Sequence, residues 1–245
     1  IPGDRRAVPS YFGAKAPVMN YGRVRTAGYE LELRVNKTIA NGMHFWGNFN
    51  MTHAENKILS YDDPQLKPDY QKQQGFAIGQ DHSYMSAGFA NTWDEVIGMT
   101  RHDTNDDQKL PGQYVITDYN GDGVIDSNDN VPYGYTGTPQ NTYNATIGWD
   151  WKGWSFFMQW YGVSNVNRYV GFNSLGKNLD TVFDEGSFWT KDNTNADAPM
   201  PRINSTPNYY NGSRFHYDGS FIRLKNMEVA YTCLLYTSDA ADDGE

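Results

Sequence analysis

The chain has 245 residues, enough for one large domain or two small ones with a buried core. Acidic residues outnumber basic ones 29 to 20, and a formal charge of −9 argues against nucleic acid or an anionic lipid surface as the main partner. Aromatic residues make up 15% while hydrophobic residues total 38%, so much of the apolar area sits in rings set among polar side chains. Glycan-binding surfaces and transmembrane β-barrels share that signature. No run of about 18 apolar residues occurs, so no transmembrane helix is expected, which leaves barrels open. The opening IPGDRRAVPSYF lacks a basic start followed by an apolar core, and reads either as a mature or trimmed product or as a chain whose true N-terminus lies elsewhere.

Strand signals dominate from residue 28 onward. GYELELRVNKTI alternates, with Tyr29, Leu31, Leu33 and Val35 on one side and Glu30, Glu32 and Arg34 on the other. In NGMHFWGNFNMTHAENKI, Met43, Phe45, Phe49 and Met51 share a face opposite His44, Trp46, Asn48, Asn50 and Thr52. Ala40-Asn41-Gly42 between them is a hairpin signal. Residues 53–117 are polar and irregular, which suits a long outward loop better than the inside of a compact domain. Within them, Thr92 caps a short expected helix with Asp94 and Glu95 in its first turn.

A second hairpin follows. NTYNATIGWDW sets Tyr143, Ala145, Ile147, Trp149 and Trp151 on one side, Lys152-Gly153 is the turn, and WSFFMQWYGVSNV returns with Trp154, Phe156, Met158 and Trp160. The tryptophans around the turn fit an aromatic girdle or, equally, a Trp-rich sandwich corner. Residues 164–219 read mostly as loop. The last strand, SFIRLKNMEVAYT, changes register near Lys225-Asn226, where a bulge is expected.

The sharpest motif is DYNGDGVIDSND, residues 118–129. Its spacing matches a calcium loop, with oxygen ligands at Asp118, Asn120, Asp122, Val124 (by its carbonyl), Asp126 and Asp129, and Gly123 at the sharp turn. Hard oxygens at this spacing wrap a chain around Ca2+, so a structural calcium is expected. The flanks are strand and turn rather than two helices, so the expected role is to pin a loop and not to signal.

Catalytic signals are weak. His44, His53, His82, His102 and His216 form no close metal pair, and no nucleophile elbow, Walker A or dinucleotide fingerprint is present. Asp62/Asp63 and Asp106/Asp107 sit in polar tracts, and the spacing of Asp184 and Glu185 gives no support to a glycosidase pair. No enzymatic activity is expected. Trp93, Trp189, Tyr209 and Tyr210 are the exposed aromatic candidates for stacking on a glycan or other ligand.

The order of these segments resembles the C-terminal part of the SusC/RagA-like family of TonB-dependent outer-membrane transporters. The resemblance is specific over Asp118–Trp160, through the acidic loop, Gly134, Thr138, Pro139 and the Lys152-Gly153 turn, and over Gly219–Thr232. It spans roughly residues 22–232. It implies an all-β fold, a partial transmembrane antiparallel β-barrel with long extracellular loops, occupying residues 1–232 as a fragment of a longer transporter. It also implies glycan or peptide substrates, a SusD-like lipoprotein partner, the TonB complex as energy source, and contact with outer-membrane lipid. The tail CLLYTSDAADDGE, residues 233–245, resembles sequencing-adapter read-through and is expected to be non-native, Cys233 included. The rival reading is a secreted or surface β-rich carbohydrate-binding module with a structural calcium.

Overall fold

The computed structural model describes residues 22–170, 188–196 and 212–233, together with Tyr11, Gly13 and Met200. In chain order the strands are β1 (Arg23–Thr38), β2 (His44–Ser60), β3 (His82–Tyr84), β4 (Ser86–Phe89), β5 (Arg101–His102), β6 (Tyr114–Ile116), β7 (Val124–Ile125), β8 (Asn130–Pro132), β9 (Asn141–Trp151), β10 (Trp154–Ser164), β11 (Asn167–Tyr169), β12 (His216–Asp218) and β13 (Phe221–Tyr231). One short helix, α1 (Trp93–Gly98), lies between β4 and β5. The chain divides into two compact units.

The sheet unit comprises Thr26–Glu55, Pro139–Val166 and Gly219–Glu245. Its strands run in the order β1-β2-β9-β10-β13. The expected hairpins are present. At the second, Lys152 and Gly153 both take positive φ (48° and 86°), the backbone that lets two strands join through two residues without splaying. Trp151 and Trp154 face each other across it.

Register shows how the separate alternations combine. Phe45, Phe49 and Met51 pair with Trp149, Ala145 and Tyr143, and these pair in turn with Phe156, Trp160 and Gly162. Cross-strand partners point to the same side of a sheet. The apolar positions read from single strands therefore merge into one continuous apolar face. Tyr29 joins it by stacking on His53 at 5.0 Å. Gly148 lies on the opposite face, where the Trp46 ring occupies the space a Cβ would need.

The loop unit comprises Ile1–Arg25, Asn56–Thr138 and Asn167–Asp218. It holds four two-stranded sheets: β3-β8, β4-β6, β5-β7 and β11-β12. Its centre is a cluster of Tyr114, Ile116, Ile125 and Phe215, with Tyr84 and Phe89 packed against it. Phe89 stacks on Tyr114 at 4.7 Å, and Tyr114 meets Phe215 edge-on at 5.6 Å. The expected helix forms: the Thr92 hydroxyl accepts the Glu95 N–H at 3.2 Å, and the Glu95 carboxylate reaches back to the Asn91 N–H at 2.6 Å.

Two expectations are corrected. The described residues do not form a partial transmembrane barrel. Their large sheet is open, with β1 and β13 as its two edges, and each small sheet has only two strands. A barrel requires every edge to be paired, so neither closure nor membrane-spanning strands are seen here. The fold is all-β, with one open five-stranded sheet and several small ones. No described helix is long and apolar enough to cross a membrane. Residues 53–117 are also more ordered than the sequence implies, since they carry the end of β2, then β3–β6 and α1. Strands of two to four residues are too short for alternation to reveal.

Candidate functional site

The acidic loop runs from the end of β6, through β7, to the start of β8. Val124 and Ile125 pair in parallel with Arg101 and His102, and Ile125 is fully buried in the loop unit's core. That anchor fixes the middle of the motif. Gly123 adopts φ +85°, the left-handed turn for which position six of the motif calls.

Asp129 organises the loop. It is 0% exposed, a rare state for a carboxylate that demands full hydrogen bonding. Its Oδ1 accepts the N–H groups of Tyr119 (2.7 Å) and Asn120 (3.4 Å), and its Oδ2 accepts that of Asp126 (2.9 Å). One side chain thus ties the beginning of the loop to its end. The remaining ligand candidates are engaged in short turns of their own. Asp118 accepts from the N–H groups of Gly121 and Gly123, both at 2.7 Å. Asp122 accepts from Val124 N–H (2.9 Å) and the Asn120 amide (2.8 Å). Asp126 accepts from the backbone N–H and side-chain amide of Asn128, at 2.6 and 3.0 Å.

These oxygens suit a hard cation chemically, but they do not converge. Among the described residues, no group of three or more His, Cys, Asp or Glu side chains is placed to hold a metal ion. The donor set fits calcium by type and spacing, not by its arrangement.

Two residues brace the loop from outside. The Tyr70 hydroxyl donates to the Asn128 carbonyl at 2.9 Å, and the Gln71 amide donates to the same oxygen at 3.0 Å. The Tyr70 ring meets Tyr119 edge-on at 4.9 Å. Burial, reinforced by the negative charge of Asp129, raises the Tyr70 phenol above its usual range, which keeps it a hydrogen-bond donor. Nothing in the motif singles out this pair in advance, because the contact joins residues 57 and 58 positions apart.

The aromatic candidates separate. Trp93 is 58% exposed at the start of α1. Trp189, expected to be exposed, is buried at 4%: its Nε1–H donates to Asn91 at 2.8 Å, and its ring lies where a Cβ on Gly112 would stand. That ring belongs to packing. Tyr209, Tyr210, Asp184 and Glu185 lie outside the described residues. The histidines are dispersed. His44 contacts Asn36 at 2.8 Å and Asp150 at 3.4 Å, while His53 contacts Asn141 at 2.6 Å. Burial lowers the imidazole pKa of His102 and of His216. Asp106 and Asp103 partly offset this at His102, where Lys109 adds to it, and Asp81 partly offsets it at His216.

No protein-family model matches the chain. It is similar to the TonB-dependent receptor P3 of Formosa agariphila, 26% identical over 92% of this chain and 23% of the receptor. It is also similar to the TonB-dependent receptor P26 of that organism, 24% identical over 91% of this chain and 24% of the receptor. An alpha-amylase of Clostridium acetobutylicum is 23% identical over 97% of this chain and 32% of that protein. Among solved structures, the RagAB peptide transporter shares the fold with a TM-score of 0.62 at 17% identity, over 96% of this chain and 25% of that chain. The chain thus spans about a quarter of the length of the receptors and the transporter it matches. The likeness is distant and partial, and the sheets are open, so the narrower expectation of a SusC/RagA-like C-terminal barrel portion is corrected. What stands is a distant similarity, over part of their length, to two TonB-dependent receptors and a fold shared with the RagAB peptide transporter.

Proposed function

We propose that the chain is part of an outer-membrane nutrient importer that takes up glycans or peptides with energy passed from TonB and with a SusD-like lipoprotein as partner. The observation that carries this reading is the similarity to a TonB-dependent receptor over 92% of the chain. The fold shared with the RagAB peptide transporter supports it. The chain itself contributes no catalytic step; its part is structural and ligand-facing. The test is to tag the chromosomal gene in its host, fractionate membranes and follow uptake of labelled oligosaccharides and peptides. The tagged protein is expected in the outer-membrane fraction with a SusD-like lipoprotein co-purifying, and uptake is expected to fall when either the gene or TonB is removed. Recovery from the culture medium with uptake intact overturns the reading.

Calcium at residues 118–129 is a separate proposal that rests on ligand spacing. Binding an ion there requires Asp118, Asp122 and Asp126 to exchange the N–H partners described above for the metal. Calorimetric titration is expected to show one site that disappears when Asp118 and Asp122 are both changed to Ala. Identical titrations of the parent and the double variant defeat the assignment.

A further inference from the structure

Hydrogen bonds within the loop unit converge on the side chain of Asn167, at the start of β11. This residue is 6% exposed, so its amide has to find partners inside the protein. Its Nδ2 lies 2.8 Å from Asp81 Oδ2 and 2.7 Å from His216 Nδ1. An ionised carboxylate only accepts, so the amide presents its NH2 group to Asp81. One of the two amide protons goes there. The other meets the imidazole, where a contact this short to a donor requires Nδ1 to be the unprotonated, accepting nitrogen. His216 is therefore neutral here, with its proton on Nε2.

One nitrogen serves both partners, and that ties their protonation states together. A proton added to His216 Nδ1 points at an NH2 group. Turning the Asn167 amide over offers Oδ1 to the imidazolium, but sets that oxygen against the Asp81 carboxylate where a hydrogen bond stood. No orientation of the amide satisfies imidazolium and carboxylate together. The rings of Tyr133 and Tyr169 flank the imidazole at 5.2 and 5.1 Å and restrain it from turning away. Burial disfavours the imidazolium at His216, and the Asp81 charge offsets this only in part. Tyr169, opposite His216 in the β11-β12 pair, has its phenol pKa raised by burial and stays neutral. Asp218 pairs with Asn167, while Arg168 pairs with Tyr217 on the other side of the two strands.

The Asp81–Asn167 bond fastens β11 to two neighbouring segments. The Asp81 carbonyl accepts the Tyr133 N–H at 2.9 Å, and the Gln80 amide donates to the carbonyls of Tyr133 and Gly134 at 3.2 and 3.0 Å. The Asn167 N–H reaches the Thr136 carbonyl at 3.0 Å. We propose that Asp81, Asn167 and His216 form an acid-released clasp: a proton taken from solvent onto His216 Nδ1 turns the Asn167 amide, breaks its bond to Asp81 and loosens the Asp81 and Tyr133 segments from β11. The clasp is shut at neutral pH and opens below the usual imidazole value of 6.5. It belongs to the loop unit and does not depend on the import reading.

Hydrogen exchange and NMR of the imidazole nitrogens test it on the full chain. At pH 7 the His216 resonances are expected to report the Nε2–H tautomer; the Nδ1–H tautomer overturns the proposal. Between pH 7 and pH 5, protection of the Tyr133 and Asn167 amides, corrected for intrinsic exchange, is expected to fall about tenfold. Unchanged protection overturns it. Asp81→Asn separates the clasp from simple burial. An asparagine there can turn its own amide and donate to Asn167 Oδ1, so both states of His216 are satisfied and the fall is expected to shrink to about twofold or less. If burial alone opposes the imidazolium, removing the Asp81 charge leaves the fall as large or larger, and the clasp is refuted. His216→Gln is expected to abolish the pH dependence at both amides; a fall that persists assigns it to another group and likewise defeats the clasp.

Discussion

Of the twelve buried hydrophobic residues described, Val163 and Val166 belong to the sheet unit and the other ten to the loop unit. The sheet unit has the long strands, whose pairing shifts register between β10 and β13 at Lys225. The loop unit has strands of two to four residues, yet it holds the aromatic cluster and the fully buried Asp129. Regularity and burial are thus separated in this molecule. In the sheet, order comes from backbone pairing, and the side chains of β1 stay exposed: Leu31, Leu33 and Val35 are 45%, 54% and 63% accessible. In the loops, order comes from side chains filling space and closing hydrogen bonds. Sensitivity to substitution should follow burial, not regularity.

Four experiments break or sharpen that contrast. The largest effect is expected at Phe215, 1% exposed against Tyr114. Phe215→Ala should cost about 3–5 kcal/mol. Hydrogen exchange should then show protection lost in β6 and β7 while β9 and β10 keep theirs. Equal loss in both units would erase the distinction. Next comes Asp129→Ala, which strands three backbone N–H groups in a buried site and should cost roughly 2–3 kcal/mol by urea unfolding. Asp118→Ala, at a less buried position, should cost clearly less.

The third experiment is pH. His102 and His216 both have imidazole pKa values lowered by burial from the usual 6.5. Below 6.5 the unfolded chain takes up protons that the folded chain still refuses, so stability is full above 6.5 and is lost as pH falls toward the folded values. Asp106, held below its usual 3.8 by Lys109, adds nothing in that window; its contribution is lost only at more acid pH. The urea midpoint of the loop unit should fall between pH 7 and pH 5, and a double His102→Gln, His216→Gln variant should flatten the change. The smallest effect is expected on the sheet. Leu33→Thr at an exposed position should stay within about 0.5 kcal/mol of the parent.

The same division explains what the sequence revealed. Period-two alternation exposed both hairpins, the turn at Lys152-Gly153 and the bulge near Lys225, because each is a local pattern. The capping residues around Thr92 exposed α1 for the same reason. The loop unit was opaque because its determinants are distant in sequence. Phe215 reaches Tyr114, Trp189 reaches Asn91, and Tyr70 reaches Asn128, with no periodicity linking any pair. The acidic motif was recognisable, yet its spacing could not reveal that Asp129 turns inward to the backbone. That depends on Ile125 being drawn into a core whose other members lie elsewhere in the chain.

The bulge in β13 bears on how the gene can change. A strand that gains or loses one residue ordinarily turns everything beyond it to the opposite face. Here Ile222 and Leu224 pair with Gly162 and Trp160, and Met227, Val229 and Tyr231 pair with Met158, Phe156 and Trp154, while Lys225 is passed over. All five therefore share one face despite the switch in numbering. Deleting the Lys225 codon would leave each of those pairs in place and convert the strand to uninterrupted alternation. At this position an in-frame triplet can be won or lost without inverting the strand, so length variation is tolerated where a β-strand usually forbids it.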